Sequence, residues 1–179
     1  ILTMAAHLEG KAANAFDQAG LAQKNGSVYS HLQFAARPAD IGAARIDAGD
    51  ADLLLGCDMV TAAGAEGLLR LRPGHSQAVI NRHETPLADF TRDPDSALPV
   101  DDLFAVLEQA AGQDAVAGID AGGLATRLMG DAIAANVFLA GFACQRGLIP
   151  ISAAAIERAI EINGVAVDFN KQAFLWGRR

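Results

Sequence analysis

Ala51-Asp52-Leu53-Leu54-Leu55-Gly56-Cys57-Asp58 decides the fold of this chain. Apart from Asp52, residues 51–57 are apolar or small, without alternation of polar and apolar positions. A strand wetted on one face alternates with period two; a strand covered on both faces, as in a largely parallel sheet, does not. Asp58 follows with a carboxylate able to accept from the free N–H groups of a first helical turn, so a helix is predicted from there to about Arg70. A buried strand feeding directly into a capped helix is the unit of a layered α/β domain.

The same unit recurs downstream. After a Pro73-Gly74 turn, residues 77–81 (Gln-Ala-Val-Ile-Asn) read as a second buried strand, and residues 114–119 as a third. Between them, residues 82–99 hold Pro86, Pro94 and Pro99 among several charges and read as a long loop, a kind of segment that is commonly functional in a compact domain. Residues 101–111 form a helix with Leu103, Val106, Leu107 and Ala110 on one side. The remainder is helical. Residues 131–146 place Ile133, Asn136, Val137, Ala140 and Cys144 on one stripe and Phe138 over Phe142 on its neighbour. Ser152 caps a helix that turns Ile156, Ala159 and Ile160 inward and ends at Asn163-Gly164; the last helix buries Val165, Phe169, Ala173 and Trp176.

Upstream, residues 1–8 read as the middle of a helix with no capping residue ahead of it, so the true beginning is expected to be missing. That helix ends near Gly10, and a short strand over residues 12–16 follows. A glycine-bracketed polar loop with Gln23, Lys24 and Asn25 leads into a strand from Val28 that Arg37-Pro38 interrupts or places at an edge. Side-chain alternation puts Val28, Ser30, Leu32 and Phe34 on one face and Tyr29, His31 and Gln33 on the other, which is read as the face turned to a partner or a site.

Composition narrows the functional classes. The 179 residues are 51% apolar and 20% charged, enough for one domain to bury a core without staples. A net charge of -7 argues against a nucleic-acid backbone as partner, which needs clustered cations. The near-apolar run over residues 132–144 is too short to span a bilayer, for which about 20 residues are needed. Cys57 and Cys144, without a second Cys or His at ligand spacing, indicate neither a metal site nor a disulfide framework, and a reducing cytoplasmic setting is expected.

Seven residues are expected to face substrate or partner: Gln23, Lys24, Asn25 and His31 from the loop and its strand, and Asn81, His83 and Thr85 outside the end of the second buried strand, where ligands collect in open α/β sheets. His83 and Glu84 make no metal motif, because adjacent residues of an extended loop point apart. Ser27, Ser30 and His31 make no nucleophile and base pair, and no catalytic residue is assigned. Gly122-Gly123 read as a plain turn, since Asp120 beside them repels a phosphate and the spacing lacks the dinucleotide fingerprint. Asn136 and Asn170 read as buried amides that tie down backbone.

Three separated stretches together resemble one family. They are Asp17-Gln18-Ala19-Gly20-Leu21-Ala22-Gln23-Lys24-Asn25-Gly26 with Ser30-His31; residues 51–58; and Asn136, Gly147-Leu148-Ile149-Pro150, Ala159-Ile160-Glu161-Ile162-Asn163-Gly164, Asn170 and Ala173-Phe174-Leu175-Trp176-Gly177-Arg178. In this order they resemble the γ-type domain of 2-oxoacid:ferredoxin oxidoreductases, closest to the indolepyruvate (arylpyruvate) branch. The resemblance implies a Rossmann-like α/β domain with a mostly parallel sheet and a helical C-terminal part, lacking the family's first strand and glycine-rich turn. Residues 1–179 would be a single such domain, a fragment of a longer chain. It implies a parent enzyme that decarboxylates an aryl 2-oxoacid on thiamine diphosphate with magnesium, passes electrons through iron–sulfur clusters to ferredoxin and releases an acyl-CoA. This chain alone would bind none of these cofactors. It would contribute assembly and part of the wall around substrate or coenzyme A, as an oligomer partnered by thiamine-binding and iron–sulfur domains and only indirectly by ferredoxin. The residues by themselves leave a free-standing α/β ligand-binding module or a structural interface domain open.

Overall fold

Three short parallel strands carry the domain: β3 (Leu53–Gly56), β4 (Gln77–Asn81) and β5 (Val116–Ile119), in that spatial order. Because they run parallel, their C-terminal ends, Gly56, Asn81 and Ile119, share one edge of the sheet. The computed structural model describes residues 1–19, 27–83 and 99–179.

Alternation along β4 divides the core in two. Val79 joins one apolar cluster while Ala78 and Ile80 join another, as opposite faces of a strand require. On the Ala78 and Ile80 side, α2 (Met59–Ala62) and α4 (Val100–Ala111) cover the sheet through Met59, Ala62, Leu107 and Ala111. The helices α2 and α4, one from each connection, therefore lie on one face, as right-handed crossovers between successive parallel strands require. The Val79 side packs on α6 (Ala135–Gln145), behind which stand α1 (Leu2–Leu8), α5 (Ala121–Met129), α7 (Ala153–Asn163) and α8 (Val167–Gly177). The result is the expected layered α/β domain with a parallel sheet and a helical C-terminal part.

Several sequence expectations hold at the level of single residues. Asp58 accepts from the Thr61 amide at 2.6 Å, and Ser152 from that of Ala155 at 3.2 Å; Gly164 ends α7 in the left-handed region at φ 70°. The helix expected from Asp58 to Arg70 is broken at Gly64 into α2 and α3 (Ala65–Leu69). Residues 113–115 form a 3₁₀ turn ahead of β5, and Gly122-Gly123, read as a turn, lie in the first turn of α5.

The stripe expected on residues 131–146 is corrected. Ile133 is 75% exposed in a 3₁₀ turn (Ala132–Ala134), and Asn136 is exposed; the inward side is Ala135, Phe138, Leu139 and Ala143. The turn shifts the helical phase, so the periodicity counted from Asp131 points to the wrong side. Val165, at 64% exposed, precedes α8, whose buried anchors are Ala173 and Phe174. Asn170 does tie down backbone, donating to the Val165 carbonyl at 2.9 Å.

Residues 12–16 prove to be part of a longer strand. β1 (Ala12–Ala19) pairs antiparallel with β2 (Val28–Ala35) over all eight residues, forming a sheet of its own beside the parallel one. Glu9 fastens the neighbouring end of α1 to α7: its carboxylate accepts from the Ser152 amide at 2.8 Å and from Lys11 Nζ at 3.0 Å, while Lys11 also donates to the Pro150 carbonyl. Those bonds, first of all the one to Ser152, hold the Glu9 carboxyl down at about 2.

Candidate functional site at the carboxyl ends of the parallel strands

Asn81 is the last residue of β4 and only 8% exposed, and its short amide reaches three separate segments. Nδ2 donates to the Cys57 carbonyl at 3.1 Å, just beyond β3. Oδ1 accepts from the His83 amide at 3.1 Å and from the amides of Ala121 and Gly122 at 3.0 and 3.3 Å. A buried polar group must find partners or lose free energy comparable to a hydrogen bond each time. Asn81 thus meets its own need and that of the first turn of α5 together.

Asp120 completes that helix start. It is the N-cap of α5, with Oδ1 accepting from the Gly123 amide at 2.7 Å, and the same oxygen lies 2.9 Å from His83 Nδ1. A carboxylate there pairs favourably with the partial positive charge of a helix N-terminus. The His83 ring lies against Gly122, where a β-carbon would strike it. His83 is thereby held by a main-chain bond to Asn81 and a side-chain contact to Asp120, with its ring partly exposed at the edge of the sheet. The amides that could cradle a phosphate at this helix are already occupied by the two side chains.

Beside this edge, Arg82 reaches Asp101 at 2.8 Å and lies 4.7 Å from the centroid of Phe104, linking the end of β4 to α4. Cys57 is a half-buried thiol pushed up by burial and by the Asp58 carboxylate; Cys144, on α6, is likewise raised by burial. Two cysteines on different elements do not supply the four thiolates that hold an iron–sulfur cluster. Among the described residues no group of three His, Cys, Asp or Glu side chains is placed to hold a metal ion.

The structure therefore brings Asn81 and His83 together. Gln23, Lys24, Asn25 and Thr85 lie outside the described residues. His31, expected on an outward polar face, is corrected: it is 6% exposed, with Nδ1 accepting from the Ile46 amide at 3.2 Å and its ring 6.0 Å from that of Phe16. The face read as partner-facing is folded inward, for Tyr29 on it donates to the Thr61 carbonyl at 2.8 Å. What sequence reasoning missed is the Asp120 contact, since 37 residues separate Asp120 from His83 and no local pattern joins them.

Burial pushes the His31 pKa down, helped by the nearby Arg70 and Arg45 charges and opposed by Glu66. A group depressed in the folded state contributes its full stability above its unfolded value of 6.5 and loses it as the pH falls towards the folded value. Glu9 acts in a separate window, from 4.5 down to about 2. Urea midpoints should accordingly fall between pH 7.5 and 5.5, and His31→Leu should flatten that slope without touching the loss below pH 4.5; an unchanged slope in the variant would contradict the assignment.

The pyruvate ferredoxin/flavodoxin oxidoreductase family model matches residues 1–179. The chain belongs to that family. Its fold is also that of the pyruvate oxidoreductase subunit PORC from Thermotoga maritima, a crystal structure that superposes with a TM-score of 0.64 at 18% identity over 99% of this chain and 84% of that one. No curated protein matches the chain. As a member of this oxidoreductase family it is part of a 2-oxoacid:ferredoxin oxidoreductase, and among the described residues no helix is long and apolar enough to cross a membrane.

Proposed function

We propose that residues 1–179 are the non-catalytic γ-type domain of an arylpyruvate:ferredoxin oxidoreductase, one domain of a longer cytoplasmic chain, with indolepyruvate as substrate class. The observation that carries the supporting role is the edge formed by Asn81, His83 and Asp120. Its amide and carboxylate are committed to holding β3, β4 and α5 together, so its polar groups shape a rigid wall. Bond breaking then belongs to thiamine diphosphate and electron transfer to iron–sulfur clusters on partner domains. A contact from His83 to substrate, coenzyme A or the partner's wall is supported by its partly exposed ring, held on the Nδ1 side by Asp120. The aryl branch is supported by the loop of residues 17–26 and the stretch from Ala173 to Arg178, which resemble that branch.

Steady-state kinetics on the complete enzyme test both parts. Acyl-CoA formation should fall at least tenfold when this domain is left out and return when it is added back; kcat/KM should favour indolepyruvate over pyruvate by at least tenfold, a difference of about 1.4 kcal/mol. Equal activity without the domain overturns the supporting role, and a preference for pyruvate overturns the aryl assignment alone.

A further inference from the structure

Three contacts fix the His83 ring and leave one end of it open. Its main-chain amide is bound to Asn81 Oδ1 at 3.1 Å, its Cγ and Cδ2 lie against Gly122, and its Nδ1 is 2.9 Å from Asp120 Oδ1. The ring atoms left over are Cε1 and Nε2, and the side chain is 38% exposed. Asp120 Oδ1 already accepts from the Gly123 amide at 2.7 Å, and a carboxylate has only lone pairs to offer. The hydrogen of the neutral ring is therefore on Nδ1, and Nε2 carries a bare lone pair. Among the described residues Nε2 has no hydrogen-bond partner.

An acceptor fixed at the carboxyl edge of a parallel sheet, where ligands collect, selects by what it refuses. The carboxylate and keto oxygens of a 2-oxoacid also only accept, so that end of any such substrate gains nothing from Nε2. Indolepyruvate carries one further polar group, the ring N–H, and it is a donor. We infer, resting on the aryl substrate class proposed above, that His83 Nε2 accepts the indole N–H and is a specificity-determining residue of the enzyme. Asp120 is its positioning residue, keeping the ring in the accepting tautomer. The 2-oxoacid end then points away from this domain, towards the partner domains to which bond breaking is assigned. Substrates without a ring donor leave the lone pair unpaired, and a polar group built to be paired discriminates against the ligand that lacks its partner.

Kinetics of the complete enzyme on indolepyruvate and on its benzothiophene counterpart, in which sulfur replaces the ring N–H at nearly the same size, test this. kcat/KM should favour indolepyruvate by on the order of tenfold, the worth of one hydrogen bond, and His83→Phe should bring the ratio near unity. Asp120→Asn, whose amide both donates and accepts, should give an intermediate ratio and keeps the test open if the phenylalanine variant does not fold. Long-range proton–nitrogen correlation spectra of this chain, labelled at its four histidines, should show the neutral His83 ring with Nε2 unprotonated, and a mixture of tautomers in Asp120→Asn. A wild-type ratio near unity, an unchanged ratio in His83→Phe, or a ring hydrogen on Nε2 overturns the inference. So does a variant that raises KM for coenzyme A or weakens assembly with the ratio intact, which would give the lone pair to those partners. Faster turnover of pyruvate than of either aryl substrate overturns the aryl reading by itself, since the ratio between the two aryl compounds is still measured.

Discussion

Replacing Asn81 by leucine should cost about 3 kcal/mol or more, lowering the melting temperature by roughly 10 °C, because it strands several buried groups at once. Leucine keeps asparagine's branched shape and is somewhat bulkier, so crowding is the smaller part of the loss. The loss comes from the polar atoms left behind: the Cys57 carbonyl and the amides of His83, Ala121 and Gly122. Each such group, buried without a partner, is worth about 1–3 kcal/mol. Asn81→Asp separates the two halves of the clamp. Its carboxylate keeps the three acceptor contacts and gains from the helix N-terminus, but it cannot donate to Cys57 and sets a charge against that carbonyl. Thermal unfolding should therefore rank wild type above Asn81→Asp above Asn81→Leu. A leucine variant as stable as wild type would show that the amide does not hold the strand ends together. In the assembled enzyme the aspartate variant serves a second purpose. It leaves the fold closer to intact than leucine does while changing the charge beside His83, so a shift in KM at a temperature where the variant is still fully folded would tie this edge to substrate.

Gly177→Ala should destabilise by about 3 kcal/mol, although alanine is the better helix former by about 1 kcal/mol. The reason is the crossing of α6 and α8. A β-carbon on Gly177 falls on the carbonyl oxygen of Phe138, and one on Gly141 falls on that of Phe174. In both cases the obstacle is backbone, which cannot swing aside as a side chain can. Either methyl group must push the helices apart and loosen Phe138 and Phe174, both buried in the same core. Once one methyl has separated the helices the second finds room, so the double alanine variant should lose less than the sum of the single losses. Denaturant unfolding of the three variants checks this, and the sign is decisive: a stabilised Gly177→Ala would mean that the two backbones do not touch.

What could be read in advance follows the reach of each interaction. Caps and turns act over three or four residues, and Asp58, Ser152 and Gly164 play the parts their sequence context predicts. β4 falls on Gln77–Asn81 as its apolar run predicts. Phase is more fragile: one 3₁₀ turn ahead of α6 was enough to turn Ile133 to solvent and bring Leu139 inside. His31 shows the same limit in a strand. Alternation separates two faces, but which face is covered depends on where the chain around Ile46 and Thr61 returns.

The sequence by itself determined the class of the domain, through residues 51–58 and the strands that repeat their pattern, because burial on both faces leaves its mark on every residue of a strand. It also carried enough of the family's order for membership to be expected before any coordinates. Only the tertiary structure decided that Asn81 clamps the strand ends, that Asp120 holds His83, and that Gly141 and Gly177 let two helices meet at their backbones. Those contacts join residues between 24 and 41 positions apart, the two glycine contacts among them. No local preference distinguishes such a partner from any other side chain until the fold has brought the two together.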